Sequence, residues 1–469
     1  MSISDQEYVD WLADLNSPRC VLVELDYPSS STRYVSNMGY VSIGSDTPAN
    51  THYEDILSKA PELYLSIDGD SVIGDFEIHN DGSLDSWLNT PWVGWPVRVY
   101  LGDVSWAKAD FRLVASGINA GITAPSNNTL RFELRDKREL LKVPVQTDLM
   151  GDETPKPLSI GDPFNVEPNL QDAPTLRYRY HEDSNAVCNT GNVRDNGVSV
   201  SFTDQSDGSF ILSATPAGRI TCDPTGPTTN TPASVVEWLA LRAPEIAAGD
   251  IDSTNLSAYP TTPAVSLYVY DQVDILDLID DVMRSTGGVA VFTRLGKLQL
   301  VRLDTPATSV IDISEDEIED LSMTVDEVEQ PLARVQINHS RNWAVQDADS
   351  LAGSVSLANR DLYSTEYQTV SSTNSLGTDY PLAESPEPVD TVIDNSTDAQ
   401  SESDRRRTLR NIKRKVFSLT AFMTPFQIQL GDTLNITYPR YGFESGADCV
   451  VVGIGQQITD NKVQLEVWL

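Results

Sequence analysis

Gly94-Trp95-Pro96-Val97-Arg98-Val99 and Gly431-Asp432-Thr433-Leu434-Asn435-Ile436 share a pattern in which a glycine is followed, three and five positions later, by aliphatic residues. Two further matches follow in the same order, Val114–Ile118 with Val451–Ile454 and Leu130–Leu134 with Val463–Val467. The leading glycine lies 23 residues before Gly117 in the first copy and 22 residues before Gly453 in the second. Strands that alternate with glycine turns also produce such matches by chance. Three matches in one order and at similar spacing favour an internal duplication of a β-rich unit near each end of the chain.

Strand signals dominate the rest of the sequence. Runs rich in β-branched and aliphatic residues are separated by turns of Asp, Asn, Ser and Gly, which is typical of antiparallel β structure. The sequence therefore predicts a mainly β, multidomain protein with a small α/β part. The runs are Cys20–Leu25, Leu63–Ile67, Val97–Leu101, Phe111–Val114 and Leu130–Leu134 near the start, and Leu434–Tyr438, Cys449–Gly453 and Val463–Trp468 at the end.

We expect four consecutive domains. A proline-rich connector, Thr154–Pro174, marks the first boundary. The predicted domains are residues 1–150, a β-barrel or sandwich; 151–235, a β insertion; 236–305, a small α/β domain; and 306–469, a second β-barrel domain. The predicted elements around the α/β domain are the helices Ala233–Arg242 and Val273–Ser285 and a hairpin of Val289–Thr293 with Lys297–Arg302.

The chain is strongly acidic. It has 69 acidic and 33 basic residues, a formal net charge of -36. Such a field repels the phosphates of nucleic acids and anionic membranes, so a binding site for either is not expected. Solubility, or adaptation to salty surroundings, is the alternative explanation of the surplus. The start of the chain lacks the features of a secretory signal, and no run of ~18 apolar residues occurs. We therefore expect no membrane-spanning segment.

One short segment reverses this charge balance. Residues 405–415 hold seven of the 33 basic residues. We predict a basic helix at 405–416, preceded by a long polar loop at 371–404, with Leu409, Ile412 and Val416 on the apolar face. DNA contact is one interpretation of this segment. Pairing with acidic surface of the same chain or of a neighbour is the interpretation that the net charge favours. The basic residues are Arg405, Arg406, Arg407, Arg410, Lys413, Arg414 and Lys415.

The sequence predicts no catalytic, cofactor-binding or metal site. The four histidines stand in no metal-binding spacing, and the four cysteines form no CxxC pair. Phosphate-binding loops and nucleophile elbows are absent. A pair of catalytic carboxylates stays open, because carboxylates are frequent throughout. Cys188 and Cys222 could pair across a loop-rich region, but free thiols are the favoured state in a protein made in a cytosol.

An ordered set of motifs resembles the hub proteins of phage tail tips and baseplates, and it covers nearly the whole chain. Each motif by itself is weak, and their order carries the resemblance. The motifs are Tyr64–Gly69 (YLSIDG), Phe76–Asp85 (FEIHNDGSLD), Val97–Gly102 (VRVYLG), Asp195–Val198 (DNGV), Ala214–Thr221 (ATPAGRIT), Arg341–Gln346 (RNWAVQ), Leu351–Gly353 (LAG), Leu430–Ile436 (LGDTLNI) and Tyr438–Gly442 (YPRYG).

The resemblance implies a homotrimer in the virion, assembled in the host cytoplasm, with no enzymatic activity and no cofactor. Two tube-like β-barrel domains near the chain ends would flank the central β and α/β domains and form a pseudo-hexameric ring. Such a hub joins the hexameric tail tube or distal tail ring to a three-fold tip. The implied partners are that ring, a tape-measure protein, a separate fibre or adhesin protein, and genome DNA in transit through the ejection channel.

A soluble β-sandwich protein that binds or cleaves glycans is the alternative function. It would present exposed aromatic side chains in a cleft, and Trp87, Trp92, Trp95 and Trp106 are the candidates. Packing in a core or between subunits is the favoured role for these four side chains. Oligomeric state separates the two functions, because the glycan protein would be a monomer and the hub a trimer.

Overall fold

The computed structural model describes residues 3–14, 16–69, 71–182, 188–376 and 379–469, with the backbone alone at 71 and 72. These residues belong to two compact units. Unit 1 comprises Met1–Glu139, Ala290–Glu329 and Arg414–Leu469, and unit 2 comprises Leu140–Val289 and Gln330–Lys413. The division into four consecutive domains stays a prediction.

The first segment of unit 1 begins with helix α1 (Asp5–Ala13), whose Ser4 and Glu7 form a capping box. A series of eleven strands follows in the described residues, and their pairs are antiparallel except for β2 with β4. The strands are β1 (Cys20–Tyr27), β2 (Ser31–Ser36), β3 (Tyr40–Val41), β4 (His52–Asp55), β5 (Leu57–Lys59), β6 (Glu62–Ser66), β7 (Ser71–Ile73), β8 (Phe76–His79), β9 (Pro96–Gly102), β10 (Arg112–Ser126) and β11 (Thr129–Arg135). Short 3-10 helices lie at Asp85–Asn89, Lys108–Asp110 and Lys137–Leu141.

Nine of these strands form the N-terminal sheet, in the order β3-β4-β2-β1-β9-β10-β11-β8-β5. Alternation along the strands places one face in the core. On β11, for example, Leu130, Phe132 and Leu134 are buried while their neighbours are half-buried. Phe76 stacks on Phe132 with ring centroids 4.9 Å apart, and Trp92 meets Phe132 edge-on at 5.4 Å.

The first segment of unit 2 mixes short strands with helices. The elements are β12 (Leu158–Ile160), β13 (Asn169–Asp172), β14 (Arg177–Arg179), β15 (Asn189–Asp195), β16 (Val198–Ser199), β17 (Phe202–Asp204), β18 (Ser209–Leu212), β19 (Ile220–Thr225), α2 (Pro232–Ala240), α3 (Ser253–Ala258), β20 (Leu267–Val269) and α4 (Ile275–Thr286). A 3-10 helix lies at Ala248–Asp250. Helices α2 and α4 confirm the two predicted helices to within two residues. Gly287, with φ 67°, ends α4 in the left-handed conformation that favours glycine.

The rest of the chain passes from unit 1 through unit 2 and back. Its elements are β21 (Gly288–Phe292), β22 (Leu298–Arg302), β23 (Ile311–Ile313), a 3-10 helix (Glu315–Glu317), β24 (Thr324–Glu329), β25 (Arg334–His339), α5 (Leu357–Ser364), β26 (Gln368–Thr373), β27 (Val389–Asp390), α6 (Ser396–Leu409), β28 (Arg414–Phe422), β29 (Thr433–Ile436), β30 (Ala447–Gln457) and β31 (Lys462–Trp468). Strands β21 and β22 confirm the predicted hairpin, with Gly296 at φ 70° in its turn.

Two expectations for this region are wrong. The predicted loop at 371–404 contains the end of β26, all of β27 and most of α6, and the predicted helix at 405–416 ends at Leu409. Helix α6 escaped detection because its inward face is polar, since Glu402 and Ser403 are buried beside Ala399. Its start is set by Asn395, whose side chain accepts a hydrogen bond from the backbone N–H of Asp398. Residues from Arg414 onward form a strand.

The C-terminal sheet of unit 1 has the order β23-β29-β30-β31-β28-β24, and β6, itself paired with β7, adds to β30. Unit 2 holds the smaller sheets β12-β20, β13-β14-β18-β17, β16-β15-β19 and β26-β25-β27. The expectation of a mainly β, multidomain chain is therefore confirmed. Among the strands that the structure describes, neither large sheet closes into a barrel.

Candidate functional site

The two large sheets of unit 1 share one topology. In chain order, β1, β5, β8, β9, β10 and β11 assemble as β1-β9-β10-β11-β8-β5. In the same way, β23, β24, β28, β29, β30 and β31 assemble as β23-β29-β30-β31-β28-β24. If the six strands of each group are numbered by their order in the sequence, both groups have the same spatial order, 1-4-5-6-3-2. We call these six-strand groups the N-terminal copy and the C-terminal copy.

Strand register supports the equivalence. Glu133 pairs with Gly121 across β11 and β10, directly after a register shift, and Glu466 pairs with Gly453 across β31 and β30, also directly after a shift. A bulge at one place in both copies is a feature that related structures keep.

The structure also corrects one detail of the sequence comparison. Val97 pairs with Gly117, whereas Leu434, which occupies the same place as Val97, pairs with Cys449. Gly453 therefore corresponds to Gly121 and not to Gly117. A bulge lies between the two glycines of the first copy, so Gly117 and Gly121 face opposite sides of the sheet. The sequence comparison allowed one residue of slip and held no information on pairing, so it could not choose between them.

The copies differ at one edge. Strand β1 runs antiparallel to β9, but β23 runs parallel to β29. The N-terminal sheet also continues beyond β1 through β2, β4 and β3. The copies thus share strand order over six places. They share both order and direction over the five strands from the second to the sixth place.

The seven basic residues of the segment 405–415 do not lie on one helix. Arg405, Arg406 and Arg407 are on the last turns of α6, and Arg410 follows its end. Lys413 is exposed in the turn, while Arg414 and Lys415 begin β28 in unit 1. Of the predicted apolar face, Leu409 is buried, but Ile412 is 52% exposed.

Arg405 and Arg406 share one buried carboxylate in unit 2. Glu402 accepts bonds from Nε and Nη2 of Arg405 at 2.8 and 2.7 Å and from Nε of Arg406 at 2.6 Å. Sequence reasoning missed Glu402, because it fell in the predicted loop. The spacing of three and four residues between Glu402 and the two arginines was the signal that could have identified it.

The same two arginines cap helix α4. Nη2 of Arg406 donates to the carbonyls of Arg284 (2.7 Å) and Ser285 (3.1 Å), and Nη2 of Arg405 donates to that of Thr286 (3.1 Å). The last carbonyls of a helix lack partners within it and carry partial negative charge, so guanidinium groups there stabilise the helix end. A Cβ at Gly287 would collide with Arg405.

Four of the five remaining basic side chains also have contacts within their own units. Arg407 lies 3.5 Å from Asp404, and Arg410 donates to the carbonyl of Gln330 at 3.2 Å. In unit 1, the buried Arg414 lies over the ring of Trp468, 4.4 Å from its centroid, and Nζ of Lys415 donates to the carbonyl of Tyr441 at 3.4 Å. Burial lowers the pKa of Arg414.

The aromatic platform that a glycan would need is not formed by the predicted set. Trp87 and Trp92 are buried in the core of the N-terminal sheet, and Nε1 of Trp92 donates to the carbonyl of Trp87 at 2.8 Å. Trp106 packs on Trp11 with centroids 4.8 Å apart, and Trp95 is half-buried. The platform interpretation is therefore wrong for Trp87 and Trp92.

Within the described ranges, no group of three or more His, Cys, Asp or Glu side chains is arranged to hold a metal ion. Burial lowers the pKa of His181 to about 4, so this histidine is neutral. Cys222 is a buried free cysteine, so the less favoured Cys188–Cys222 disulfide is not formed. In the part of the chain that the structure covers, every helix is too short or too polar to cross a membrane.

Comparison with known proteins gives a structural similarity and no sequence match. No family model and no curated protein matches the chain. The tail protein from Neisseria meningitidis MC58 is 10% identical, with 96% of each chain covered and a TM-score of 0.46. The 43 kDa tail protein of prophage MuSo2 from Shewanella oneidensis is 9% identical, with 96% of this chain and 98% of that chain covered and a TM-score of 0.44. Prophage tail protein gp18 from Listeria monocytogenes EGD-e is 8% identical, with 95% and 94% covered and a TM-score of 0.45.

Proposed function

We propose that this chain is a structural protein of a phage tail, the hub of the tail tip or baseplate. The observation that carries the proposal is the repeated strand order of the N-terminal and C-terminal copies in unit 1. It accords with the ordered motifs by which the sequence resembles hub proteins. The role is mechanical, and no turnover is expected.

The repeat has a consequence for symmetry. A closed ring of three identical chains presents every surface three times. If each chain contains two similar units, the ring presents that kind of unit six times. A homotrimer can then dock on a six-fold ring at one end and on a three-fold tip at the other. In this proposal the two copies, as open sheets, supply the two similar tube-forming units of the hub.

The partners follow from this position in the virion. They are the distal tail or tube ring, the tape-measure protein, a fibre or adhesin protein, and the genome as it passes through the channel. The net charge of -36 suits a channel wall, because a surface of the same sign as DNA does not retain it during ejection.

The basic segment 405–415 is proposed to stabilise contacts of the protein and not to bind DNA. Arg405 and Arg406 are engaged by Glu402 and by the carbonyls of α4, which supports this interpretation. Titration of the protein with duplex DNA at about 50 mM salt, where phosphate contacts are strong, should show no binding at micromolar concentration. Binding that disappears when Arg406, Arg410 and Lys413 are changed to Glu, with assembly intact, would contradict the interpretation.

Sedimentation and imaging test the hub itself. The chain has a mass of 51.5 kDa, and the sedimenting particle should have three times that mass. Averaged electron micrographs should show a three-fold ring with six similar lobes around a central hole. A monomer both in solution at micromolar concentration and within intact tails would exclude the trimeric hub.

A further inference from the structure

A cavity of about 250 Å³ lies in unit 1, where four segments of the chain meet. Its walls come from α1, from the start of β10, from the turn of the β21–β22 hairpin and from the loop after β28. We call it the arginine pocket. It is lined by Tyr8, Leu12, Arg112, Val114, Arg294 and Phe426, among others.

Arg294 is held in this pocket by contacts that leave its charge unbalanced. Its carbonyl accepts from the N–H of Ser116 at 2.7 Å, and Nη1 donates to the carbonyl of Val114 at 3.0 Å. The guanidinium group lies over the ring of Phe426, 4.3 Å from the centroid. No carboxylate in the described part of the chain pairs with it. Burial lowers the pKa of Arg294 to about 10, so the group stays charged at neutral pH.

Arg112 provides a second cation in the lining of the pocket. Its Nη2 donates to the carbonyl of Ile3 at 3.0 Å and to Oδ1 of Asp5 at 2.9 Å. The side chain of Asp5 is 99% exposed, so this ion pair is screened by water and is readily exchanged for another. The guanidinium group of Arg112 also lies 5.7 Å from the ring centroid of Tyr8.

The chemistry of the pocket defines what it would bind. A desolvated guanidinium group costs free energy unless an anion compensates it, and a carboxylate does so with two parallel hydrogen bonds. Leu12, Val114 and Phe426 give the pocket an apolar part beside its polar side chains, which suits a hydrocarbon or aromatic neighbour of that anion. A nucleic acid fits poorly, because the chain as a whole has a charge of -36 and repels polyanions.

We propose that the arginine pocket is a docking site for a peptide segment of a partner protein, in which a carboxylate side chain adjoins an aromatic or branched aliphatic side chain. The carboxylate contacts Arg294 and Arg112, and the apolar neighbour packs against Phe426 and Leu12. The proposal rests on the pocket alone and stands whether or not the chain is a tail hub.

Two blocked tripeptides test it on the full chain. Acetyl-Leu-Glu-Phe-amide and acetyl-Leu-Gln-Phe-amide differ only in the charge of the central side chain, and their binding is compared by calorimetric titration. The Glu peptide should bind about tenfold more tightly or better, the range expected for hydrogen bonds to a charged group. Arg294→Gln should abolish the preference. Arg135→Gln should keep it, because Arg135 belongs to the same unit but is 59% exposed and pairs with Glu139.

A second variant protects the test from misfolding. Arg112→Gln changes a side chain that is 36% exposed, and it should reduce the preference while the thermal melting curve stays as in the wild type. Equal binding of the two peptides, or a preference that survives both variants, overturns the proposal. Tighter binding of a short single-stranded DNA than of the Glu peptide, lost in Arg294→Gln, overturns it in favour of phosphate. Salt-sensitive self-association that Arg294→Gln removes overturns it in favour of a second copy of this chain.

Discussion

The N-terminal and C-terminal copies of unit 1 solve the same packing problem with different side chains. Phe76 faces Phe132 across β8 and β11, and Leu419 faces Leu465 at the same place across β28 and β31. All four side chains are buried. The strand order and the register are therefore compatible with an aromatic pair at this place in one copy and an aliphatic pair in the other, provided that the inward positions stay apolar and the space is filled.

A second difference concerns the glycine at the bulge, which lies opposite a glutamate in both copies. A Cβ added to Gly453 would lie 2.7 Å from Oε2 and 2.9 Å from Cβ of Glu466. A Cβ added to Gly121 would lie 3.8 Å from Oε2 of Glu133, an ordinary contact. The bulge is thus common to both copies. Only in the C-terminal copy is the glutamate packed so closely that a residue larger than glycine would collide with it.

The core pair should give the largest difference between the copies. Phe132→Ala removes the stacked contact with Phe76 and the edge contact with Trp92, and it should lower the free energy of unfolding by about 3–5 kcal/mol. Leu465→Ala should cost less, about 2–4 kcal/mol, because fewer atoms are lost. Urea unfolding followed by tryptophan fluorescence measures both. A cost for Leu465→Ala equal to or above that of Phe132→Ala would show that the copies do not differ in this way.

The glycine pair should give an intermediate effect. Gly453→Ala should destabilise the protein by about 1–3 kcal/mol, because Glu466 must move to admit the methyl group. Gly121→Ala should stay within about 0.5 kcal/mol of the wild type. The two variants are matched in chemistry and in place, so their thermal melting temperatures can be compared directly. Equal shifts would mean that the two bulges are packed alike.

The smallest effect is expected from charge. In the N-terminal copy, Arg98 donates to Asp26 at 2.7 and 2.9 Å, whereas Asn435, the residue in the place of Arg98, donates to Asp448 at 2.7 Å. Partial burial opposes the charged form of Asp26. The hydrogen bonds from Arg98 and Thr32 and the charge of Arg98 outweigh burial, so the pKa of Asp26 is lowered.

A carboxylate with a lowered pKa stabilises the fold above its unfolded pKa of about 3.9, and that stability is lost as the pH falls through the folded value. Asp26→Asn should therefore lower stability at pH 7 by roughly 1 kcal/mol or less, and the difference from the wild type should shrink below about pH 4. Melting temperatures at several pH values measure this. A difference that is constant from pH 7 to pH 3 would rule out Asp26 as the source.

Sequence reasoning succeeded where local pattern and burial agree. The strands β9, β11, β29 and β31 alternate inward aliphatic residues with outward polar ones, and the helix α4 shows an apolar stripe that ends at Gly287. It failed at α6, because that helix buries Glu402 and Ser403, and no periodicity of apolar residues marks it. It also predicted the first three residues of β28 to be the end of a helix, because Arg414 and Lys415 carry no strand signal.

The amino-acid sequence by itself determined the β character of this protein, its acidity and the repeated pattern near its two ends, because side-chain period and composition are local properties. Tertiary structure decided that Gly453 corresponds to Gly121 and not to Gly117, since cross-strand pairing sets the register and the sequence does not show where the bulge lies. It also decided that Arg405 and Arg406 serve the end of α4, and that Arg112 and Arg294 share one pocket. Those contacts join residues more than a hundred positions apart, and only packing brings such residues together.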